Sequence, residues 1–169
     1  MACAITTGRA KVCKDGLGGN SVLYVINDIA DPWTVASGVC TAINASITVV
    51  YAFPLEGDSN TLVQSLVSDR NTGSTVNTQT LTATLKKTDA ATSANLSLLA
   101  YGYPNCVVKD RNGIYHAVGH TDGIDFTIEE TTGGAKSDMN GYTLTGVSTV
   151  NILAPKLDAA TVTAMLLLV

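Results

Sequence analysis

Residues 109–120 read "KDRNGIYHAVGH" and hold both histidines of the chain, His116 and His120, with Asp110 just before them and Asp122 just after. On a helix, this spacing would put two imidazoles on one face, as a zinc site requires. The Asn112-Gly113 pair argues against a helix. It is a strong signal for a type I′ hairpin turn, which needs φ > 0 at both central positions. The flanking residues 106–109 and 114–118 favour extended structure. The segment is therefore expected as a hairpin in which Arg111 faces Ile114, Asp110 faces Tyr115, Lys109 faces His116 and Cys106 faces Gly119. Along a strand, the two histidines lie roughly 13 Å apart at about 3.3 Å per residue. One metal ion holds its ligands at about 2 Å and cannot bridge them, although sequence-distant carboxylates could complete a site around either one.

Outward from this hairpin the pattern stays mainly β. Residues 89–101 are the best helix: Ala91, Ala94, Leu98 and Tyr101 form a stripe, Thr88 or Asp89 caps the start, and Gly102 with Pro104 stops it. Before it, Thr72, Thr75, Thr78, Thr80, Thr82 and Thr84 run into the alternating Leu81, Ala83 and Leu85, a long strand with one hydroxylated face. Residues 69–79, almost without apolar side chains, are expected as a projecting loop or hairpin tip. Leu62, Val63, Leu66 and Val67 suggest a short helix capped by Asp58, Ser59 or Asn60. Residues 45–53 alternate as a half-buried strand that Pro54 ends or marks as an edge. The glycine-rich residues 15–20 lack the Lys-Ser/Thr of a phosphate loop and precede a strand, so they read as a turn between strands.

Downstream, Ile124, Phe126 and Ile128 alternate with Asp125, Thr127 and Glu129, and residues 141–145 repeat the pattern. Residues 161–169 are expected as one more strand. With about seven or eight strands, one good helix, and neither repeat nor linker, the expected fold is mainly β: a β-sandwich or incomplete barrel with one flanking α-helix. Residues 1–154 form the core domain in this reading. Residues 155–169 form a C-terminal arm or added strand, with a neighbouring subunit favoured as its resting place because an exposed apolar strand is a template for pairing.

Composition narrows the function classes. Of 169 residues, 46% are apolar and only 14% charged, which argues against disorder and suggests surface covered by partner chains. Net charge −4 with scattered basic residues argues against a general nucleic-acid binder. Cys3, Cys13, Cys40 and Cys106 show no zinc spacing, and the N-terminal residues lack the pattern of an export signal, so reduced thiols are expected, with a Cys3–Cys13 disulfide left open. The apolar run at 164–169 is too short to span a bilayer, and no membrane partner is expected. No nucleophile elbow accompanies the histidines. The adjacent Glu129 and Glu130 face opposite ways on a strand. No catalytic residue, cofactor or metal is expected, and the chain is not read as an enzyme.

The order of "MACAITTGRAKVCKDGLGGN", "QTLTATLKKTDAATSANLSLLAYG", "VVKDRNGIYHAVGHTDGIDFT" and "NGYTLTGVS" resembles structural proteins of tailed bacteriophages, closest to tail tube and related tail or neck proteins. The resemblance covers roughly residues 1–150 and implies a β-sandwich assembled with itself as a ring or tube, commonly hexameric. It also implies other virion proteins as partners, non-specific proximity to phage DNA during ejection, and a place in the virion after assembly in the host cytoplasm. Capsid decoration or head–tail connection is the alternative, and a β-sandwich enzyme or ligand-binding module the more distant one. Subunit-interface candidates are Thr72, Thr75 and Thr78 in the hydroxylated segment and Met165, Leu166, Leu167 and Leu168 in the apolar tail. An acidic balance suits a conduit along which DNA slides without sticking.

Overall fold

The computed structural model describes residue 5 and residues 7–169; Cys3, and with it the Cys3–Cys13 question, lies outside the described residues. Strand β1 (Asn20–Ile26) is apolar at every position from Val22 to Ile26. A strand sends successive side chains to opposite faces, so such a run needs cover on both sides. Leu23 and Val25 enter one buried cluster, while Tyr24 and Ile26 enter a second on the opposite face.

After β1 come β2 (Trp33–Ala36), β3 (Val39–Ile43), β4 (Tyr51–Pro54), β5 (Thr61–Asp69) and β6 (Ser74–Lys86). Helix α1 (Ala90–Tyr101) follows, then β7 (Asn105–Asp110), β8 (Tyr115–Val118), β9 (Asp125–Thr131), β10 (Gly141–Val150), β11 (Lys156–Leu157) and helix α2 (Ala159–Leu166). One sheet has seven strands in the order β2-β3-β11-β8-β7-β1-β4; the other has four in the order β5-β6-β10-β9. The first cluster lies between the sheets, with Cys106, Val108 and Val118 from one and Leu81, Ala83, Phe126 and Leu144 from the other. The second joins Trp33, Cys40, Val107, Tyr115 and Ala117 to Met165 of α2. Among the described residues the fold is mainly β, a two-sheet sandwich without a closed barrel, with α1 flanking it as expected and α2 as a second helix.

Residues 58–67 do not form the expected helix. β5 pairs residue for residue with β6, from Thr61↔Thr82 to Asp69↔Ser74. A spacing of four keeps Leu62 with Leu66 and Val63 with Val67 on a strand as well as on a helix. The long partner strand decides between them. The expected tip at 69–79 is the end of this hairpin, turned through Gly73 at φ +68° with the Gly73 N–H donating to the Asp69 carbonyl.

Residues 161–169 are a second correction. The Asp158 carboxylate accepts from the Thr161 N–H at 2.7 Å, an N-cap that starts α2 where a strand was expected. Just before it, β11 lies inside the seven-stranded sheet, parallel to β3 and antiparallel to β8. Residues 155–169 thus supply an added strand and a helix to the chain's own fold, where docking on a neighbour was favoured.

Three smaller expectations shift. Helix α1 starts at its Asp89 cap and ends at Gly102, but it buries Leu96, with Leu99 partly buried, while Leu98 and Tyr101 are 69% and 83% exposed. Apolar residues occur around this helix, and the gap between the sheets selects the Leu96 side. Of the strand expected at 45–53, only 51–53 is extended, within β4; Ile47 and Val50 are buried without strand pairing, and β4 is a sheet edge. Residues 7–19 contain no strand, so the glycine-rich stretch leads into β1 and does not turn between strands. Its end is pinned where Asn112 Nδ2 donates to the Leu17 carbonyl and Asn112 Oδ1 accepts from the Leu17 N–H, both at 2.8 Å.

Candidate functional site

The histidine hairpin forms, in a register one residue away from the expected one. Cys106 faces Val118, Val108 faces His116 and Lys109 faces Tyr115. The turn holds three residues, Arg111, Asn112 and Gly113, between Asp110 and Ile114, with Gly113 at φ +82°. The Asp110 carboxylate accepts from the N–H groups of Asn112 and Ile114, each at 2.8 Å, and this side-chain turn outweighs the two-residue preference of Asn-Gly. The slip brings Asp110 and His116 to one face, with His116 Nε2 at 3.5 Å from Asp110 Oδ2. Burial acts to raise the Asp110 carboxyl, but the hydrogen bonds from Ile114, His116 and Asn112 outweigh it and hold it below its ordinary value.

His120 sits elsewhere, buried at 9% exposure; burial pushes its pKa down, against a smaller upward pull from Asp122. Burial raises the Cys106 thiol and, with Asp158, pushes Cys40 up to about 12, so neither is poised as a thiolate nucleophile. Among the described residues, no three His, Cys, Asp or Glu side chains gather as metal ligands. No helix among the described residues is long and apolar enough to cross a membrane.

A polar row crosses the inner face of the four-stranded sheet, and no sequence signal singled it out. Gln64 faces Gln79 and Gln79 faces Ser148 on three adjacent strands, with Asn77 one pair further on. Gln64 Oε1 accepts from the Ala154 N–H at 2.6 Å, and Gln79 Oε1 from the Gly119 N–H at 3.0 Å. Asn77 Nδ2 donates to the Ile152 carbonyl at 2.7 Å. These side chains hold the loops that follow β8 and β10 against the sheet. Alternation of polar and apolar residues marks a strand but does not say which polar residue turns inward.

The expected interface residues separate. Thr72, Thr75 and Thr78 are all exposed, Thr72 at the β5–β6 tip and Thr78 on the outer face. Met165 is completely buried in the chain's own core, and Leu168 packs against the same cluster. Leu166 and Leu167 point outward at 42% and 82% exposure. Helical spacing divides the apolar tail in this way.

The four-stranded sheet turns a face rich in threonine and valine outward, with its charged residues, Asp69, Lys86, Asp125 and Glu129, at the margins. Thr61, Thr82, Thr145 and Thr127 form one row across all four strands, and Val63, Thr80, Val147 and Asp125 form the next. Its edges are β5 and β9, which run in opposite directions because each neighbouring pair is antiparallel. On β5, Val63 and Val67 are 59% and 61% exposed. A long edge strand with exposed apolar side chains is a template for pairing unless something covers it.

Comparison with family models, curated proteins and solved structures finds no match. Geometry therefore carries the functional argument.

Proposed function

We propose that this chain is a structural subunit of a tailed-bacteriophage virion, forming a ring of the tail tube or an associated tail ring. One observation carries the reading: the four-stranded sheet has two open edges of opposite direction. Placed beside β9 of the next copy, β5 continues the antiparallel order, and each added copy presents the same free edge again. Such a head-to-tail contact closes into a ring when its rotation closes, and closure removes the exposed edges. The outward threonine and valine rows then form an uncharged middle of the wall, with Asp69, Lys86, Asp125 and Glu129 confined to the margins of the sheet. Such a wall lets a polyanion pass without the phosphate contacts that would hold it.

Electron microscopy of the purified protein tests this reading. Rings or stacked rings support it, and they are expected to vanish on Ser65→Pro, which puts a proline in the edge strand. A protein that stays monomeric at every concentration overturns it, and shell-bound knobs on capsids would favour the decoration role.

A further inference from the structure

The N-terminal segment and the β9 edge carry opposite charges, and neither forms an ion pair among the described residues. Residues 7–14 are exposed and include Arg9, Lys11 and Lys14 with no acidic residue among them, in a chain whose net charge is −4. At the other edge of the four-stranded sheet, Asp125, Glu129 and Glu130 of β9 are exposed. None of these six makes an ion pair among the described residues, where the Lys and Arg pairs are Lys86–Glu56 and Arg111–Asp58.

Their places in the fold bring them together in a ring. Residues 17–20 run between the start of β5 and the β7–β8 turn: the Asn20 N–H donates to the Asn60 carbonyl, Leu17 is hydrogen-bonded to Asn112, and Leu17 and Gly19 line a cleft with Thr61, Leu62 and Val63. The row through Thr61, Thr82, Thr145 and Thr127 marks where β5 begins, and β9 runs on past that row through Glu129 and Glu130. With the rows continued from copy to copy, β5 of one copy stops short of the acidic end of its neighbour's β9. Residues 17–20, which lead from the basic segment into β1, lie beside that start.

We infer that the basic N-terminal segment of one copy, through Arg9, Lys11 and Lys14, straps the Asp125–Glu129–Glu130 edge of the next copy. The inference rests on the ring reading above and names the contact that adds to strand pairing there. Both charge sets are exposed, so their reversal leaves the fold intact, as circular dichroism and thermal melting would verify.

Two triple variants, R9E/K11E/K14E and D125K/E129K/E130K, and the chain carrying all six changes test it by sedimentation velocity and electron microscopy. Each triple variant is expected to raise the concentration needed for half-assembly about tenfold or more at low salt, with a smaller effect at high salt. The six-fold swap is expected to restore assembly. Triple variants that assemble like the wild type, or a swap that fails to rescue, overturn the strap while leaving rings in place. A wild-type protein that never forms rings overturns the ring reading and the strap with it.

Discussion

His116 Nε2 lies 3.5 Å from Asp110 Oδ2 across the β7–β8 turn, and the same carboxylate accepts the N–H groups of Asn112 and Ile114. The pair therefore holds a turn, and its electrostatics make that role measurable.

Because the folded state lowers the Asp110 pKa, the carboxylate contributes stability that is present above the unfolded value of about 3.9 and lost as pH falls through the folded one. Asp110→Ala is expected to cost about 1–2 kcal/mol at neutral pH. Urea melts of both proteins against pH should show the gap closing below about pH 4. A gap that persists there would assign the loss to packing.

His120 gives a second window. Its folded pKa is lowered, so the unfolded chain binds the proton more readily, and stability falls as pH drops below about 6.5. His120→Gln should flatten the slope of the urea midpoint between about pH 6.5 and 5. An unchanged slope would place the titration elsewhere.

Gln79→Leu removes the acceptor of the buried Gly119 N–H. The expected loss is about 1–3 kcal/mol, the cost of a buried donor left unpaired. Hydrogen exchange at Gly119 should quicken more than in the core strands.

The buried and exposed sides of the apolar tail predict opposite outcomes. Met165→Ala should destabilise by about 2–5 kcal/mol through the cavity it leaves, whereas Leu167→Ala should fall within about 0.5 kcal/mol. Because α2 covers the chain's own sheet, deleting residues 161–169 should give an unstable domain. A folded deletion that merely fails to assemble would return this segment to the intersubunit role.

Much of the fold follows from local chemistry. The unbroken apolar run at 22–26 calls for cover on both sides, Asp89 caps α1 and Gly102 ends it, and alternation through Leu81, Ala83 and Leu85 marks β6. These signals are properties of a segment, so they can be read without its neighbours.

Tertiary structure decided the rest, where two local readings are nearly equal in energy. Leu62 and Leu66 share a face on a helix or on a strand, and only pairing with β6 makes residues 61–69 a strand. The apolar tail could alternate or coil, and the Asp158 cap with the pocket for Met165 selects the helix. Asn112-Gly113 allows a two-residue turn, but the Asp110 carboxylate draws in a third residue, and that slip alone puts Asp110 and His116 on one face. The candidate site shows the same division. Thr78, Thr80, Thr82 and Thr84 were legible as one face of a strand, whereas Thr72 lies in the turn and Thr75 on the other face. The open edges β5 and β9 and the inward Gln79 depend on strand order, which no segment carries by itself because hydrogen bonds between strands join residues far apart in the chain.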